Sequence, residues 1–194
     1  MHRLDLHQGI YLLHNFLDDP QCQAEIARGE AVGFGDAPVT TARGMIMRKD
    51  IRNNDRAMLD DQTTALALWA RLKPHAPPEI GLWRPVGLNE RLRYYRYTPG
   101  QRFAPHRDGH FAREDGERSF WTFMVYLDEG CEGGQTRFFG DPVGWGTSPE
   151  IFVDVRPTRG SALLFRHEWL HEGAEVTRGV KHVLRSDVMF RQGA

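Results

Sequence analysis

From residue 90 onward the chain is cut into short segments rich in aromatic and β-branched residues, and that pattern constrains the fold more than any other feature. Residues 90–98 (ERLRYYRYT), 119–127 (SFWTFMVYL), 135–139 (QTRFF), 150–155 (EIFVDV), 160–166 (GSALLFR) and 179–190 (GVKHVLRSDVMF) each read as a strand. Pro99-Gly100, Gly133-Gly134 and Pro157 punctuate them, and Gly133-Gly134 suits a tight turn or a bulge. Roughly eight short strands joined by tight turns suggest a jelly-roll barrel rather than an α/β sheet. The mouth of such a barrel is a natural place for a small-ligand site.

The first 88 residues have a different texture. Residues 9–17 (GIYLLHNFL) predict a short buried strand, and Asp18-Asp19-Pro20 predicts a capped helix start. That helix is expected to run to about Arg28, before Gly29. Residues 31–52 are mixed, broken by Gly33, Gly35, Pro38 and Gly44. From Asp55 to Leu72 the apolar residues recur at mostly helical spacing, with Asp60-Asp61 marking a second cap and Pro74, Pro77 and Pro78 ending the stretch. The expected architecture is mainly β with N-terminal helices, in a single domain over 1–194. Residues 1–88 form a helix-rich support, and 89–194 a double-stranded β-helix (jelly-roll) core that carries the site.

Composition supports a packed core and removes several function classes. Hydrophobic residues make up 40% of the chain, with 11 Phe, 5 Trp and 5 Tyr. Twenty-five basic against 26 acidic residues leave a net charge of −1, which calls for neither nucleic acid nor a membrane surface as partner. Cys22 and Cys131 are the only cysteines, too few for a disulfide framework or a cysteine-based zinc site. They suit a reducing, cytoplasmic setting. The opening residues, MHRLDLHQGIYLL, hold no apolar run long enough for a signal peptide, and no stretch approaches membrane-spanning length.

His106-Arg107-Asp108 places an imidazole and a carboxylate two residues apart, on one face of an extended segment. With His171 they compose two imidazoles and one carboxylate, the facial triad that holds Fe(II) and leaves three coordination positions open. His171 lies in FRHEWLHEGAEV, which reads as a short polar turn between two apolar strands. His167, four residues earlier, competes for the same role and otherwise reads as a hydrogen-bonding neighbour; His110 reads as a surface or supporting group. Lys181 and Arg185 share a face of the last strand with Val183 and Asp187. One inward cation there would anchor a carboxylate, whereas two would be costly without partners. Tyr97, Tyr126 and Thr136 are candidates to hydrogen-bond the same ligand, against the alternative of packing in the core with satisfied hydroxyls.

YRYTPGQRFAPHRDG, FMVYLDEGCEGGQTRFF, VRPTRGSALLFRH and LHEGAEVTRGVKHVLRSDVMF together resemble the Fe(II)/2-oxoglutarate-dependent dioxygenases, in their prolyl 4-hydroxylase-like branch. The resemblance covers about Leu92 to Arg191. It implies that His106, Asp108 and His171 are iron ligands and that Lys181, not Arg185, binds the distal carboxylate of 2-oxoglutarate. Tyr97 and Tyr126 match positions lining the co-substrate pocket. The implied cofactors are Fe(II), 2-oxoglutarate and O2 as co-substrates, and ascorbate as a candidate accessory. The implied reaction is hydroxylation of an unactivated C–H with release of succinate and CO2. A peptidyl prolyl residue heads the candidate substrates, with a free amino acid or natural product as the alternative. Phe103 stands where many prolyl hydroxylases carry Tyr, which removes one pocket hydrogen bond. Related halogenases have a small residue where this chain has Asp108, so hydroxylation is the expected chemistry.

Phe103, Trp121, Leu163 and Phe165 are expected to give the site an apolar lining. Segment 43–56 (RGMIMRKDIRNNDR), rich in Arg and Asn, is a candidate wall of the mouth for an acidic or peptide substrate, against the alternative of a solvated loop. Segment 109–118 (GHFAREDGER) has the composition of a mobile lid. Three competing classes remain. A metal-binding cupin-like protein leaves Lys181 unexplained, and a binding module with a decayed site is at odds with the intact triad. A zinc hydrolase lacks its HExxH signature.

Overall fold

The computed structural model describes residues 1–41, 44–140 and 150–193. The chain opens on a hairpin of β1 (His2–His7) and β2 (Ile10–His14), followed by α1 (Asp19–Val32). Three very short strands come next, β3 (Gly35–Asp36), β4 (Val39–Thr41) and β5 (Gly44–Ile46), then β6 (Asp55–Asp60) and α2 (Gln62–Leu72). The remainder is strand: β7 (Trp83–Leu88), β8 (Arg91–Tyr97), β9 (Phe103–His106), β10 (Arg118–Tyr126), β11 (Glu132–Gly133) and β12 (Thr136–Phe139). After these come β13 (Ile151–Val155), β14 (Ala162–Arg166), β15 (Leu170–Gly173), β16 (Val176–Arg178) and β17 (Lys181–Gln192).

Two facing sheets make the jelly roll. The major sheet runs β1-β2-β14-β10-β17-β8-β6-β3, with β7 also paired to β17. The minor sheet runs β13-β12-β15-β9. Alternation along the major strands sends residues to two separate layers. Trp121, Phe123 and Val125 of β10 pack outward with Leu68 and Leu72 of α2 and Cys22 of α1. Met124 and Tyr126 point inward, with Tyr95, Tyr97, Phe165 and Val183, against Phe138 of the minor sheet. The helices therefore brace the outer face of the major sheet, and the site lies between the sheets.

The N-terminal region holds more strand than its sequence suggests. α1 starts as predicted: the Asp18 carboxylate accepts from Gln21 N–H at 2.9 Å, and the Gln21 side chain accepts from Asp18 N–H at 3.0 Å. It does not stop at Gly29 but continues to Val32, and Gly33 terminates it with φ at 89°. Gly29 is instead a point of close approach, because a Cβ there would stand 3.1 Å from the Tyr94 side chain. The single helix expected over 55–72 is two elements. Asp55–Asp60 pairs residue for residue with β8, from Asp55 opposite Arg96 to Asp60 opposite Arg91. The helix begins only after Asp61, whose carboxylate accepts from Thr64 N–H at 3.0 Å. Within the expected Asp60-Asp61 cap, Asp61 is the residue used. No helix among the described residues is long and apolar enough to cross a membrane.

Candidate metal centre

His106 ends β9 and His171 sits in β15, directly opposite it in the register of the minor sheet. The segment around His171 is thus a strand rather than the polar turn its composition suggests, and pairing across the sheet brings the two imidazoles together. Their ring centroids are 4.3 Å apart. His106 Nδ1 lies 2.8 Å from the Ala104 carbonyl and His171 Nδ1 2.9 Å from the Trp169 carbonyl. Each Nδ1–H is therefore committed to a backbone acceptor, which leaves both Nε2 lone pairs free. Asp108 follows β9 and turns its carboxylate toward them, with Oδ1 3.7 Å from His106 Nε2 and Oδ2 3.6 Å from His171 Nε2. The three ligand atoms all lie within 4.8 Å of one another. Two neutral imidazole nitrogens, fixed by backbone hydrogen bonds, and one carboxylate form a donor set that fits Fe(II) with coordination positions left open.

The electrostatics favour the forms a metal needs. Burial, together with the neighbouring His171, pushes His106 down to about 3, and burial likewise lowers His171. Burial acts to raise Asp108, but the charge of Arg185, with smaller help from the neighbouring imidazoles, outweighs it and holds the carboxyl well below the usual range. Thr122 Oγ1 donates to Asp108 Oδ2 at 2.5 Å, and Arg185 Nη2 lies 2.8 Å from Asp108 Oδ1. His167 is buried and helps through its backbone, where its carbonyl accepts from Asp108 N–H at 3.1 Å. His110 is exposed on the rim.

Behind this cluster lies a small inner cavity, lined by His106, Asp108 and His171 at one end and by Tyr97, Thr136 and Lys181 among the rest. Lys181 is 2% exposed. Its ammonium donates to the Gly134 carbonyl at 2.5 Å and stands 5.0 Å from the Tyr97 ring centre and 5.6 Å from that of Tyr126. Tyr126 Oη donates to Thr136 Oγ1 at 2.8 Å. Among the described residues no carboxylate pairs with Lys181, and burial lowers it from 10.5 to about 8. All four residues expected to hold a co-substrate thus converge on one region. Gly134 contributes its carbonyl there, and Gly133 adopts φ 77° at the β11–β16 bulge, where a Cβ would collide with the Glu175 carbonyl.

The apolar lining differs from expectation by one step of strand alternation. Phe103, Phe165, Met124 and Val183 line the inner cavity, but Trp121 belongs to the opposite layer, and Thr122 takes the inward place beside the candidate metal ligands. Leu163 is buried in the inner layer without lining the cavity. Phe103 stacks on His106 with centroids 3.5 Å apart, a contact that needs a flat ring and no hydroxyl.

Residues 92–186 match the sequence profile of the 2OG-Fe(II) oxygenase superfamily. The chain belongs to this superfamily. It is therefore a 2-oxoglutarate-dependent dioxygenase, and the superfamily uses Fe(II), 2-oxoglutarate and O2. No curated protein sequence matches this oxygenase. Its fold is shared with a Pseudomonas putida prolyl-4-hydroxylase at a TM-score of 0.66 and 23% identity, over 93% of this chain and 92% of that one. A Trichoplax adhaerens prolyl hydroxylase, in complex with a hypoxia inducible factor peptide, superposes at 0.67 and 18% identity, over 93% and 83%. A viral collagen prolyl hydroxylase from Paramecium Bursaria Chlorella virus-1 gives 0.58 and 18%, over 93% and 96%.

Sequence reasoning passed over Arg185 as a site residue of this oxygenase. It is an inward cation made tolerable by partners, its Nη2 lying 2.8 Å from Asp108 and 3.5 Å from Asp187. Its period-two spacing from Lys181 was the available signal. Segment 109–118 is fastened rather than loose: Arg113 pairs with Glu90 and Glu117, and Phe111 N–H donates to Ser119 Oγ at 2.8 Å. Of segment 43–56, Ile51, Arg52 and Arg56 reach the mouth, while Arg43 lies outside the described residues.

Proposed function

We propose that this oxygenase hydroxylates an unactivated C–H bond, with a peptidyl prolyl residue as the leading substrate, and releases succinate and CO2. The observation that carries the reading is the position of the His106–Asp108–His171 cluster. It stands at the junction of a small inner cavity that ends in the buried Lys181 and a larger outer cleft. His106, Asp108 and His171 would hold Fe(II), which supplies the redox chemistry with O2. Lys181 would fix the far carboxylate of 2-oxoglutarate, with the Thr136, Tyr126 and Tyr97 hydroxyls around it. Phe103, Phe165, Met124 and Val183 keep the inner cavity apolar between those two ends and limit water at the reacting centre.

The outer cleft is where the substrate C–H would enter, and it is larger than the inner cavity, which supports a peptide segment. The fold neighbour carrying a bound peptide is consistent with that reading. Ascorbate as an accessory reductant and a reducing, cytoplasmic location belong to the same proposal, the latter supported by two unpaired cysteines.

Anaerobic titration of the purified protein with Fe(II) and then 2-oxoglutarate tests the site without knowledge of the substrate. Wild type is expected to develop the visible metal-to-ligand charge-transfer band. Asp108→Ala should abolish it, and Lys181→Ala should require more 2-oxoglutarate to reach it. A folded wild type that shows no band would overturn the reading.

A further inference from the structure

The outer cleft is cationic beyond what the metal site needs. Arg52, Arg56, Arg93, Arg107 and Arg185 line it against only two carboxylates, Asp108 and Asp187. Arg185 and Arg93 sit directly opposite each other on β17 and β8, a like-charge pairing that needs compensation. Both carboxylates are spent on it: Arg93 Nη1 lies 3.0 Å from Asp187 Oδ2, and Arg185 reaches Asp108 and Asp187. Arg107 is engaged with the Glu168 carbonyl.

Arg52 and Arg56 are left over. Arg52 is 4% exposed, and its Nη2 has no hydrogen-bond partner, a costly arrangement for a buried guanidinium. Its Nε donates to Asn54 Oδ1 at 2.7 Å and the group also hydrogen-bonds the Tyr95 hydroxyl, contacts that orient it while no carboxylate pairs with it among the described residues. Arg56 forms no ion pair among the described residues. Burial, with repulsion from Arg52 and Arg93, lowers its affinity for its own proton.

The position of Arg52 ties this charge to the metal site. Its guanidinium lies 4.4 Å from the Tyr95 ring centre and 4.5 Å from that of Phe103, and Phe103 in turn stacks on His106. A group docked on Arg52 is therefore one aromatic ring away from a metal-ligating imidazole. Tyr95 lines both cavities and stands opposite Arg56 in the register of β8 and β6.

We propose that the outer cleft recognises an oxyanion on the substrate, a carboxylate or a phosphate, held by Arg52 and Arg56. The planar, multi-donor forks of two arginines that no carboxylate pairs with among the described residues match oxyanion geometry, and the stack through Phe103 sets the anion beside the reacting centre. The inference rests on the oxygenase reading for what happens to the substrate, but not for the binding itself.

The test uses protein loaded anaerobically with Fe(II) and saturating 2-oxoglutarate, so that the inner cavity is filled. Binding of a rhodamine-labelled hexaglutamate peptide is measured by fluorescence anisotropy beside the matching hexaglutamine peptide. Wild type should prefer the acidic peptide by at least about tenfold, and Arg56→Gln and Arg52→Gln should each weaken it by about tenfold. Arg84→Gln, which changes an exposed arginine outside the cleft, should have no effect. Inorganic phosphate as competitor separates the sources: displacement shows that a free oxyanion suffices, and retention shows that the acid must be presented on a chain. Equal binding of the two peptides, no binding, or an unaltered affinity in folded Arg56→Gln would overturn the proposal. The charge-transfer band of the same samples keeps the two readings apart. Its absence from wild type would remove the oxygenase reading and leave the anion measurement standing.

Discussion

Lys181 sits where a cation is hardest to keep, and that cost makes its role measurable. Burial lowers it from 10.5 to about 8, so the folded protein binds this proton more weakly than the unfolded chain does. The contribution to stability therefore rises with pH, from about 8 toward 10.5, as the unfolded chain alone keeps the proton. Melting of the metal-free protein across that window should show this gain in wild type and lose it in Lys181→Met. Affinity moves the other way. An ammonium that holds a carboxylate must be charged, so 2-oxoglutarate binding should weaken as pH rises past about 8, later in the bound state because the dicarboxylate raises the lysine again. A flat profile in wild type would remove Lys181 from the anchoring role. Arg185 makes a separate prediction. It touches Asp108 rather than the open face of the cluster, so it is a positioning residue. Arg185→Gln should lower Fe(II) affinity by about 10–100-fold, while 2-oxoglutarate affinity at saturating Fe(II) stays near wild type. Loss of both together would indicate a collapsed site instead.

The elements differ in how openly the sequence declares them. β10 and β17 are long, aromatic and β-branched, and their periodicity names both the strands and the shared face of Lys181, Val183 and Arg185. β15 is the opposite case. Leu-His-Glu-Gly carries no strand signature, yet it is a strand because β12 and β9 flank it on both sides. Tertiary pairing overrides local propensity there, and the same holds for β6, where a helical apolar spacing yields to a register with β8. Trp121 was misplaced because alternation fixes which residues share a face but not which face looks inward. Connections obey backbone rules that are easier to test. Gly160, at φ 71°, bonds Tyr126 O through its N–H and Leu17 N–H through its carbonyl, so it ties the N-terminal region to the end of β10. A Cβ there would lie 2.1 Å from the Leu17 carbonyl oxygen. Gly160→Ala should cost about 1–3 kcal/mol from the backbone conformation alone, and more from the clash, read as a lower melting temperature. A variant as stable as wild type would mean that this junction bears no strain.

At the scale of the whole molecule, the major sheet divides stability from chemistry. Its outer face packs the helices around Phe123 and Leu72, and its inner face presents Tyr95, Tyr97, Thr122, Lys181 and Arg185 to the minor sheet that carries His106 and His171. Successive residues of one strand therefore serve different ends, and substitutions on opposite faces of the sheet should separate. Phe123→Ala, on the helix side, should cost about 3–5 kcal/mol as a buried aromatic truncated in a filled core, while the 2-oxoglutarate requirement of the folded fraction stays unchanged. Tyr97→Phe keeps the ring over Lys181 and removes only the hydroxyl, so it should raise that requirement with little change in melting temperature. Ligand linkage joins the two faces. On the proposed reading Fe(II) and 2-oxoglutarate bind between the sheets, so each at about 100 times its dissociation constant should add roughly 2.7 kcal/mol to global stability. Phe123→Ala should gain the same increment from a lower starting point, and Asp108→Ala should gain almost none. Differential scanning calorimetry of the three proteins, with and without ligands, checks the division directly. A smaller ligand increment in Phe123→Ala than in wild type would show that the helix face reaches through the sheet into the site.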